Sequence, residues 1–284
     1  MLFYSTEFIK RDMYKTVFAV VVTYKRSNVL KECLNAVLES STYKIEHLHI
    51  IINDKEKSTL ELINKFSLEY PLKISFQIFD NVGPAGGFYY GLKKFQESNC
   101  DFVWLMDDDI IPEPGCLQAL MDCTNTEPYV FSKVLKKTGN EVHSFGWWGV
   151  LISKQIVEKA GLPIKDFFYW TEDTEYLQNR MIRKHKIIPY RCESAVVQHL
   201  HSRDAIRPAW YYYYTIRNTL YYRTRIFPLN PKGAVRMIYV FLGTFYRILS
   251  KEPEKLKKMY LVCLGSVHGL AGKLGKIEKL HRDC

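Results

Sequence analysis

The chain lacks the features that mark three common classes of protein. No stretch approaches the roughly 18–20 apolar residues that a membrane-spanning helix needs. The segment 1–15 carries charged residues and no apolar core of the kind found in a secretory signal. The 7 cysteines form no CxxC pair and stand at no metal-ligand spacing with histidine. We therefore expect a cytoplasmic protein that is not integral to a membrane and whose thiols are reduced and mostly buried.

The balance of charge narrows the class of partner. The 284 residues carry a net charge of +10, which favours nucleic acid, acidic lipid or a phosphorylated substrate as the partner. Acidic residues gather around 107–113 and 172–175, whereas Lys and Arg dominate from residue 180 onwards. A nucleic-acid-binding surface would interleave basic and aromatic residues without an acidic cluster, so we expect no nucleic acid partner.

The first hundred residues alternate between strand-like and helix-like patterns. Apolar runs at 17–24, 48–52, 72–79 and 101–106 predict strands, and amphipathic stretches after Ser27, at 55–68 and at 86–97 predict helices. This alternation is typical of an α/β fold with a mostly parallel sheet flanked by helices, which binds ligands at the carboxyl ends of its strands. Polar clusters follow three of the strands: Thr23–Arg26, Asn53-Asp54 and Asp107–Asp109.

The triplet Asp107-Asp108-Asp109 indicates a divalent cation. Adjacent carboxylates repel one another, and either a metal ion or raised pKa values relieve the repulsion. Hard oxygen ligands suit Mg²⁺ or Mn²⁺ rather than Zn²⁺, and such ions keep open positions that phosphate oxygens fill. Strand alternation places Asp107 and Asp109 on the same side. A solvated loop or a helix cap is the competing interpretation.

Two further segments carry candidate site residues. Asn81, Gly83, Gly86 and Gly87 form a turn whose backbone can approach a ligand closely, although the segment also fits a simple helix N-terminus. The segment 167–183 begins aromatic and becomes helical, with the acidic pair Glu172-Asp173 at the transition. That pair also fits a cluster that only starts a helix.

Four segments in this order resemble family 2 glycosyltransferases of the GT-A fold. They are Val21–Arg26, Asn81–Phe88, Trp104–Asp109 and Phe168–Glu175. The resemblance spans about residues 16–225 and is nearest to the branch of bacterial galactofuranosyl- and rhamnosyltransferases, with the NxGxAGG segment favouring the former. Two departures are the order Asn53-Asp54, which relatives usually reverse, and Pro84, where relatives often have Gly.

The resemblance implies a donor site for a nucleoside-diphosphate sugar, with UDP favoured, and a Mn²⁺ or Mg²⁺ cofactor. Asp109 would be the direct metal ligand, supported by Asp107, and His199 would complete the site, with His201 as the fallback. Asp108 would touch the donor sugar. The base, ribose and diphosphate would lie against the remaining donor residues, which are Thr23, Tyr24, Arg26, Asn53, Asn81, Gly86 and Gly87.

The resemblance also implies the catalytic and acceptor residues. Asp173 would be the base of an inverting transfer, taking the proton of the acceptor hydroxyl, and Glu172 would orient the acceptor. Trp170 would stack on a sugar face. In the tyrosine-rich segment 210–218, Tyr213 and Arg217 would contact the acceptor, and Arg217 would neutralise a phosphate. Packing within the domain would explain the same aromatic residues without a ligand.

The C-terminal region differs in character from the rest. We expect a catalytic domain over 1–225, with a nucleotide-sugar half at about 16–110 and an acceptor half at about 111–225, and a helical extension over 226–284. An apolar stripe over 235–249 with flanking Arg and Lys fits an anionic membrane surface. Packing on the catalytic domain, or on a partner subunit in an oligomer, is the alternative.

The predicted function combines these elements. We expect a metal-dependent inverting enzyme at the inner face of a bacterial membrane that moves galactofuranose to a lipid-linked saccharide in cell-surface polysaccharide synthesis. A rhamnosyltransferase using dTDP-rhamnose is the nearest alternative. A metal-dependent phosphohydrolase would explain the aspartate triplet but not the NxGxAGG or Trp-Thr-Glu-Asp segments.

Overall fold

A computed structural model describes residues 15–39, 43–70, 73–144, 146–200, 206–227 and 231–281. Within these residues a single curled sheet has the strand order β3-β2-β1-β4-β8-β6-β9-β5, with β7 paired to β6. The strands are β1 (Val17–Thr23), β2 (Ile45–Ile52), β3 (Ile74–Ile78), β4 (Phe102–Asp107), β5 (Ile110–Pro112), β6 (Tyr129–Lys136), β7 (Glu141–Val142), β8 (Trp148–Ser153) and β9 (Tyr190–His199).

The first half of the sheet is the parallel arrangement that the sequence predicts. Strands β3, β2, β1 and β4 are parallel neighbours. They are connected by the helices α1 (Ser27–Glu39), α2 (Lys57–Glu69) and α3 (Gly83–Gln96). Strand β2 begins three positions before the predicted Leu48, and α3 begins three positions before the predicted Gly86. The α/β prediction is confirmed.

The second half of the sheet is mixed. Strand β8 is antiparallel to both β4 and β6, and β9 is parallel to β6 but antiparallel to β5. The pairing of β5 with β9 sets Ile110 opposite His199, so the end of β9 lies beside the aspartate triplet. The helices of this half are α4 (Cys116–Cys123), α5 (Lys154–Ala160) and α6 (Thr174–Lys184).

Helix α6 has π-helical rather than α-helical geometry. The Arg180 side chain donates to both carboxylate oxygens of Glu175, five residues earlier, at 2.8 and 2.6 Å. Asn179 likewise reaches back five residues to the carbonyl oxygen of Thr174. These five-residue spacings match the wider turn, which the apolar pattern of the sequence does not reveal.

The core lies on both faces of the sheet. Alternate residues of β1 belong to opposite apolar clusters, with Val17, Ala19 and Val21 on one side and Val20 and Val22 on the other. A strand that is buried on both faces explains the continuous apolar run in the sequence.

Two glycines of α3 have a packing role that corrects the sequence prediction. A Cβ at Gly87 would lie 2.5 Å from a methyl group of Val22, and one at Gly86 would lie 2.7 Å from the Val82 side chain. The prediction placed both glycines against the donor. Instead, the missing side chains allow α3 to pack directly on β1 and on its own first turn.

Three long helices and a short 3₁₀ helix end the described chain: α7 (Ala209–Tyr221, continued by a π turn to Ile226), α8 (Pro231–Lys251), α9 (Lys255–Ala271) and the 3₁₀ helix Glu278–Leu280. Helix α9 lies against α7 at two glycines, because a Cβ at Gly265 or Gly269 would lie 2.6 or 2.5 Å from the carbonyl oxygen of Tyr213 or Arg217. The predicted domain boundary at residue 225 stays a prediction. Helix α9, which lies after that boundary in the sequence, packs on α7, which lies before it. Among the described helices, none has the length and apolarity to cross a membrane.

Candidate active site

A cavity of about 730 Å³ opens at the carboxyl ends of β1, β2 and β4. The three polar clusters that follow these strands meet there, as the sequence predicts. The predicted site residues that line the cavity are Thr23, Tyr24, Arg26, Asn53, Asn81, Asp107, Asp109, Trp170, Glu172, Asp173 and His199. The volume is within the usual range for small-molecule sites.

Asn53 fixes the entrance of α3. Its side-chain amide donates to the carbonyl oxygen of Gly83 at 3.2 Å, and its carbonyl oxygen accepts from the backbone N–H of Val82 at 3.3 Å. The Asn81 side chain accepts from the N–H of Gly83 at 3.1 Å, and Asn81 itself has φ of 41°. Asn53 and Asn81 therefore shape the NxGxAGG turn as well as lining the cavity.

Asp108 faces away from the cavity and anchors the end of β1. It is completely buried, and its Oδ2 accepts a hydrogen bond of 2.6 Å from the Thr23 hydroxyl. Burial raises the pKa of Asp108 to about 6, although Arg26 opposes the shift. The prediction that Asp108 touches the donor sugar is therefore corrected, because Asp108 lies in the turn between β4 and β5 with its carboxylate bound by Thr23 and Arg26, whereas Asp107 and Asp109 line the cavity.

Arg26 supplies the positive charge at the aspartate triplet. Its guanidinium forms ion pairs with Asp108 and, at 2.8 Å, with Oδ2 of Asp109. Burial lowers the pKa of Arg26, but the three aspartates raise it by more, so the side chain stays charged. This guanidinium offsets part of the repulsion among the carboxylates.

Asp109 and His199 provide two ligands of the kind that Mn²⁺ or Mg²⁺ binds. The Oδ1 atom of Asp109 is buried, accepts no hydrogen bond and lies 3.6 Å from Nε2 of His199. His199 stacks on Trp148 with ring centroids 5.0 Å apart. Burial raises the pKa of Asp109, but His199 and Arg26 outweigh it and lower the value to about 2. The carboxylate is therefore ionised and available to a cation.

The ligand set is incomplete without further donors. Nowhere in the part of the chain that the structure describes do three or more His, Cys, Asp and Glu side chains come together closely enough to hold a metal ion. Asp107 lines the cavity, where burial and then Asp109 and Asp108 raise its pKa well above the usual range. His201, the fallback ligand, lies outside the described residues. A bound cation would need oxygen atoms from a ligand in addition to Asp109 and His199.

Glu172 and Asp173 also line the cavity and differ in their surroundings. Glu172 is buried, and its Oε2 accepts no hydrogen bond. Burial and the neighbouring Asp173 raise the pKa of Glu172 to about 8. Asp173 begins α6, where its Oδ1 accepts from the Thr174 N–H at 2.5 Å. The pair therefore combines a mainly protonated carboxyl with a carboxylate that is oriented by a helix terminus.

Two predicted acceptor residues are not at the cavity. Tyr213 is fully buried and its hydroxyl lies 2.7 Å from Nδ1 of His268. Arg217 is also fully buried, and its guanidinium donates to the backbone carbonyl oxygens of Asp166, Phe167 and Gly275. The prediction is corrected for both, because these side chains bind other parts of the protein and not a ligand.

The sequence interpretation missed several residues of the aromatic end of the cavity. The wall there includes Tyr169, Arg207, Trp210 and His281. Trp210 is the first residue of the tyrosine-rich segment 210–218, so the sequence pattern could have identified it. His281 had no local signal, because it arrives at the cavity from the end of the described chain, where its Nε2 lies 3.1 Å from the Tyr214 hydroxyl.

Comparison with known proteins identifies relatives at the level of sequence. The family model described as glycosyl transferase family 2 matches residues 18–184. The galactofuranosyltransferase GlfT1 of Mycolicibacterium smegmatis is 34% identical over 113 residues, which are 39% of this chain and 36% of that protein. The match thus spans about a third of the length of this relative.

Solved structures show the same fold at low identity. The mannosyltransferase PcManGT from Pyrobaculum calidifontis, in complex with GDP-Man and Mn²⁺, aligns with a TM-score of 0.58 and 12% identity over 92% of this chain and 75% of that one. S. aureus TarS 1–349 in complex with UDP-GlcNAc aligns with a TM-score of 0.60 and 12% identity over 88% and 80%. At this identity the likeness concerns the fold alone, and that fold is GT-A, as predicted.

The raised pKa of Glu172 predicts a pH-dependent stability. Between pH 4.5, its ordinary pKa, and about 8, the folded protein retains a proton on Glu172 that the unfolded chain releases. Raising the pH through this window therefore favours unfolding. We expect Glu172→Gln to gain stability relative to wild type as the pH rises from about 5 to about 8 in urea titrations. A stability difference that does not change with pH would contradict the assignment.

Proposed function

Because the chain belongs to glycosyl transferase family 2 and has the GT-A fold, we propose that it transfers a sugar from a nucleoside-diphosphate donor to an acceptor hydroxyl with inversion. The observation that carries the proposal is the arrangement of the cavity. The same cavity is lined by Asp107, Asp109 and His199 and by the carboxyl pair Glu172 and Asp173. A donor diphosphate and an acceptor hydroxyl need these two different sets of groups.

The donor end suits a diphosphate held through Mn²⁺ or Mg²⁺. Asp109 and His199 would hold the ion together with phosphate oxygens, and Asp107 lies beside them. The ion, when bound, offsets negative charge on the leaving nucleoside diphosphate. Arg26 provides a second positive charge near the same oxygens. Thr23, Tyr24, Asn53 and Asn81 provide a wall for the base and ribose, for which we favour uridine.

The acceptor end suits base catalysis on a sugar hydroxyl. Asp173 removes the proton as the hydroxyl oxygen attacks the anomeric carbon and the bond to the diphosphate breaks. Glu172, protonated near neutral pH, donates a hydrogen bond to the acceptor. Trp170 is 38% exposed at the cavity, so its ring is available to stack on a sugar face.

The identity of the sugar and of the acceptor follows the relatives. We propose galactofuranose as the sugar, because the glycine-rich turn and the GlfT1 match favour that branch over a rhamnosyltransferase using dTDP-rhamnose. We further propose a lipid-linked saccharide as the acceptor, in the synthesis of a bacterial cell-surface polysaccharide. A phosphohydrolase would explain the aspartate triplet but not the NxGxAGG turn or the Trp-Thr-Glu-Asp segment.

The outer face of α8 supports the proposal of a membrane-bound enzyme. Its exposed apolar side chains recur every three or four residues, at Val235, Ile238, Leu242, Tyr246 and Leu249. The adjoining helix α9 also exposes apolar residues. Lys and Arg follow this stripe in the sequence, and each basic residue near an anionic leaflet contributes about 1 kcal/mol. We propose that the helix lies in the interface of the cytoplasmic membrane leaflet, where a lipid-linked acceptor would be found.

The metal–diphosphate assignment predicts the effect of Asp109→Ala. The substitution removes a carboxylate that would bind the cation, so Mn²⁺-dependent binding of UDP should disappear in calorimetry. Asp122→Ala, an exposed aspartate on α4, is the matched control and should bind as wild type does. Unchanged UDP affinity in Asp109→Ala would contradict the assignment of Asp109 as a metal ligand.

The base assignment predicts a separation of binding from turnover. Asp173→Asn should keep the UDP affinity of wild type and lower turnover by roughly 10²–10⁴, the usual contribution of a positioned base. Donor turnover measured beside UDP binding checks this. If the variant retains most of its rate, another group is the base.

The membrane proposal predicts that charges on α8 release the protein. Leu242→Glu combined with Tyr246→Glu should move the protein from the pellet to the supernatant in sedimentation with phosphatidylglycerol vesicles, and high salt should weaken wild-type binding. Leu68→Glu, at an exposed leucine of α2, is the control. These point substitutions are preferable to deleting 233–284, because α9 packs on α7 and His281 lines the cavity. If wild type ignores these vesicles, the membrane proposal fails and the region is a packing or oligomerisation element.

A further inference from the structure

The loop that leads into Glu172 has an unusual backbone. Phe168, Trp170 and Thr171 have φ values of 62°, 67° and 78°, in the left-handed region that side chains other than glycine disfavour. Such a backbone conformation is strained and persists only where surrounding contacts hold it. The same loop presents Tyr169, Trp170, Glu172 and Asp173 to the cavity. The contacts that hold this backbone therefore control the acceptor end of the site.

Asn218 of α7 provides the first set of contacts. Its amide nitrogen lies 3.0 Å from the carbonyl oxygen of Phe167, 2.8 Å from that of Tyr169 and 2.8 Å from that of Trp170. One side chain thus gathers three carbonyl groups of a short segment. Asn218 is fully buried, so water does not compete for these bonds.

Arg217 provides the second set. Its Nη2 donates to the carbonyl oxygens of Phe167 and Asp166 at 2.9 and 3.4 Å, and its Nε donates to Oδ1 of Asn218 at 2.9 Å. Its Nη1 donates to the carbonyl oxygen of Gly275, in the segment that follows α9. The Nε bond fixes the orientation of the Asn218 amide, so the two side chains act together.

Helix α7 is itself held in place by α9. Gly265 and Gly269 let the α9 backbone approach Tyr213 and Arg217 closely. The guanidinium of Arg217 lies 4.8 Å from the centroid of the Tyr214 ring. The helix that carries the donor side chains Arg217 and Asn218 is therefore itself packed against α9.

We propose that Arg217 and Asn218 are positioning residues that clamp the strained loop 166–171 and thereby orient Trp170, Glu172 and Asp173 towards the acceptor. The catalytic consequence of the clamp rests on the proposed function, whereas the hydrogen bonds that hold the loop do not depend on it. Neither side chain lines the cavity, so neither contacts the substrate directly. Their removal should lower the rate of transfer much more than the affinity for the donor, because Arg26, Asp109 and His199 are not part of the clamp.

Asn218→Asp tests the clamp with almost no change in volume. The carboxylate replaces the donating amide and faces three carbonyl oxygens, so the loop should lose its fixed backbone. Hydrogen exchange read by mass spectrometry should speed up in peptides covering 166–175, where the N–H groups of Phe168, Tyr169 and Glu175 are hydrogen-bonded. Peptides from β1 and β4 should exchange as in wild type. Thr215→Val, which removes only a bond within α7 to Tyr211, is the control.

Steady-state kinetics provide the second readout. With the nucleotide sugar that wild type uses, kcat should fall by about 10²-fold, the cost of misplacing reacting groups by about 1 Å. The affinity for UDP with Mn²⁺ should fall much less than kcat, because Asp109 and His199 are not part of the clamp, and the loop meets the donor side only where the Phe168 carbonyl oxygen accepts a hydrogen bond from the Ala85 N–H. Asn218→Ala, which removes the donor without adding charge, should show the same pattern and serves if the Asp variant does not fold.

The outcomes separate this inference from the proposed function. Unchanged exchange over 166–175, faster exchange throughout the sheet, or a looser loop with wild-type kcat would each overturn the positioning role. If the loop loosens as expected but wild type turns over no nucleotide sugar, the clamp stands and the proposed function fails.

Discussion

The ion pairs of Arg26 with Asp108 and Asp109 satisfy the main electrostatic constraint of this molecule. Three successive carboxylates at the end of a buried strand would repel one another strongly in a partly desolvated site. Arg26 stands at the end of the neighbouring strand β1, and its guanidinium reaches two of them. The parallel pairing of β1 with β4 brings these two strand ends together. The same pairing leaves Asp107 and Asp109 facing the cavity and turns Asp108 into the protein, where the Thr23 hydroxyl binds it.

The mixed half of the sheet brings His199 to the cavity, and the chain that follows β8 brings Glu172 and Asp173. Strand β8 returns antiparallel to β4, and β9 ends beside β5, so His199 reaches Asp109 from a segment 90 residues later in the chain. The loop after β8 and α5 then carries Glu172 and Asp173 to the same cavity. The backbone of that loop depends on donors from α7, and α7 depends on α9. The C-terminal helices are thus connected through direct contacts to the loop that carries Glu172 and Asp173.

The parts that local sequence patterns determine were predictable. Continuous apolar runs marked the buried strands, amphipathic stretches marked the helices between them, and polar residues after β1, β2 and β4 marked the edge where the cavity lies. The parts of the fold and of the site that depend on contacts between residues distant in the sequence were not predictable. Arg217 reads as a phosphate ligand in the sequence, yet its partners are carbonyl groups of a loop about 50 residues earlier. Gly86 and Gly87 read as a ligand-binding turn, because the sequence does not show that Val22 and Val82 fill the space beside them.

The most direct test of sugar transfer is a panel of nucleotide sugars incubated with the wild-type protein, Mn²⁺ and candidate lipid-linked saccharides. The measurement is the release of nucleoside diphosphate together with the appearance of the extended acceptor. The account predicts turnover with UDP-galactofuranose and formation of a product of inverted configuration at the anomeric carbon. Turnover with dTDP-rhamnose alone would contradict the choice of sugar. Phosphate release from simple phosphate esters, with no transfer from any nucleotide sugar, would contradict the account as a whole.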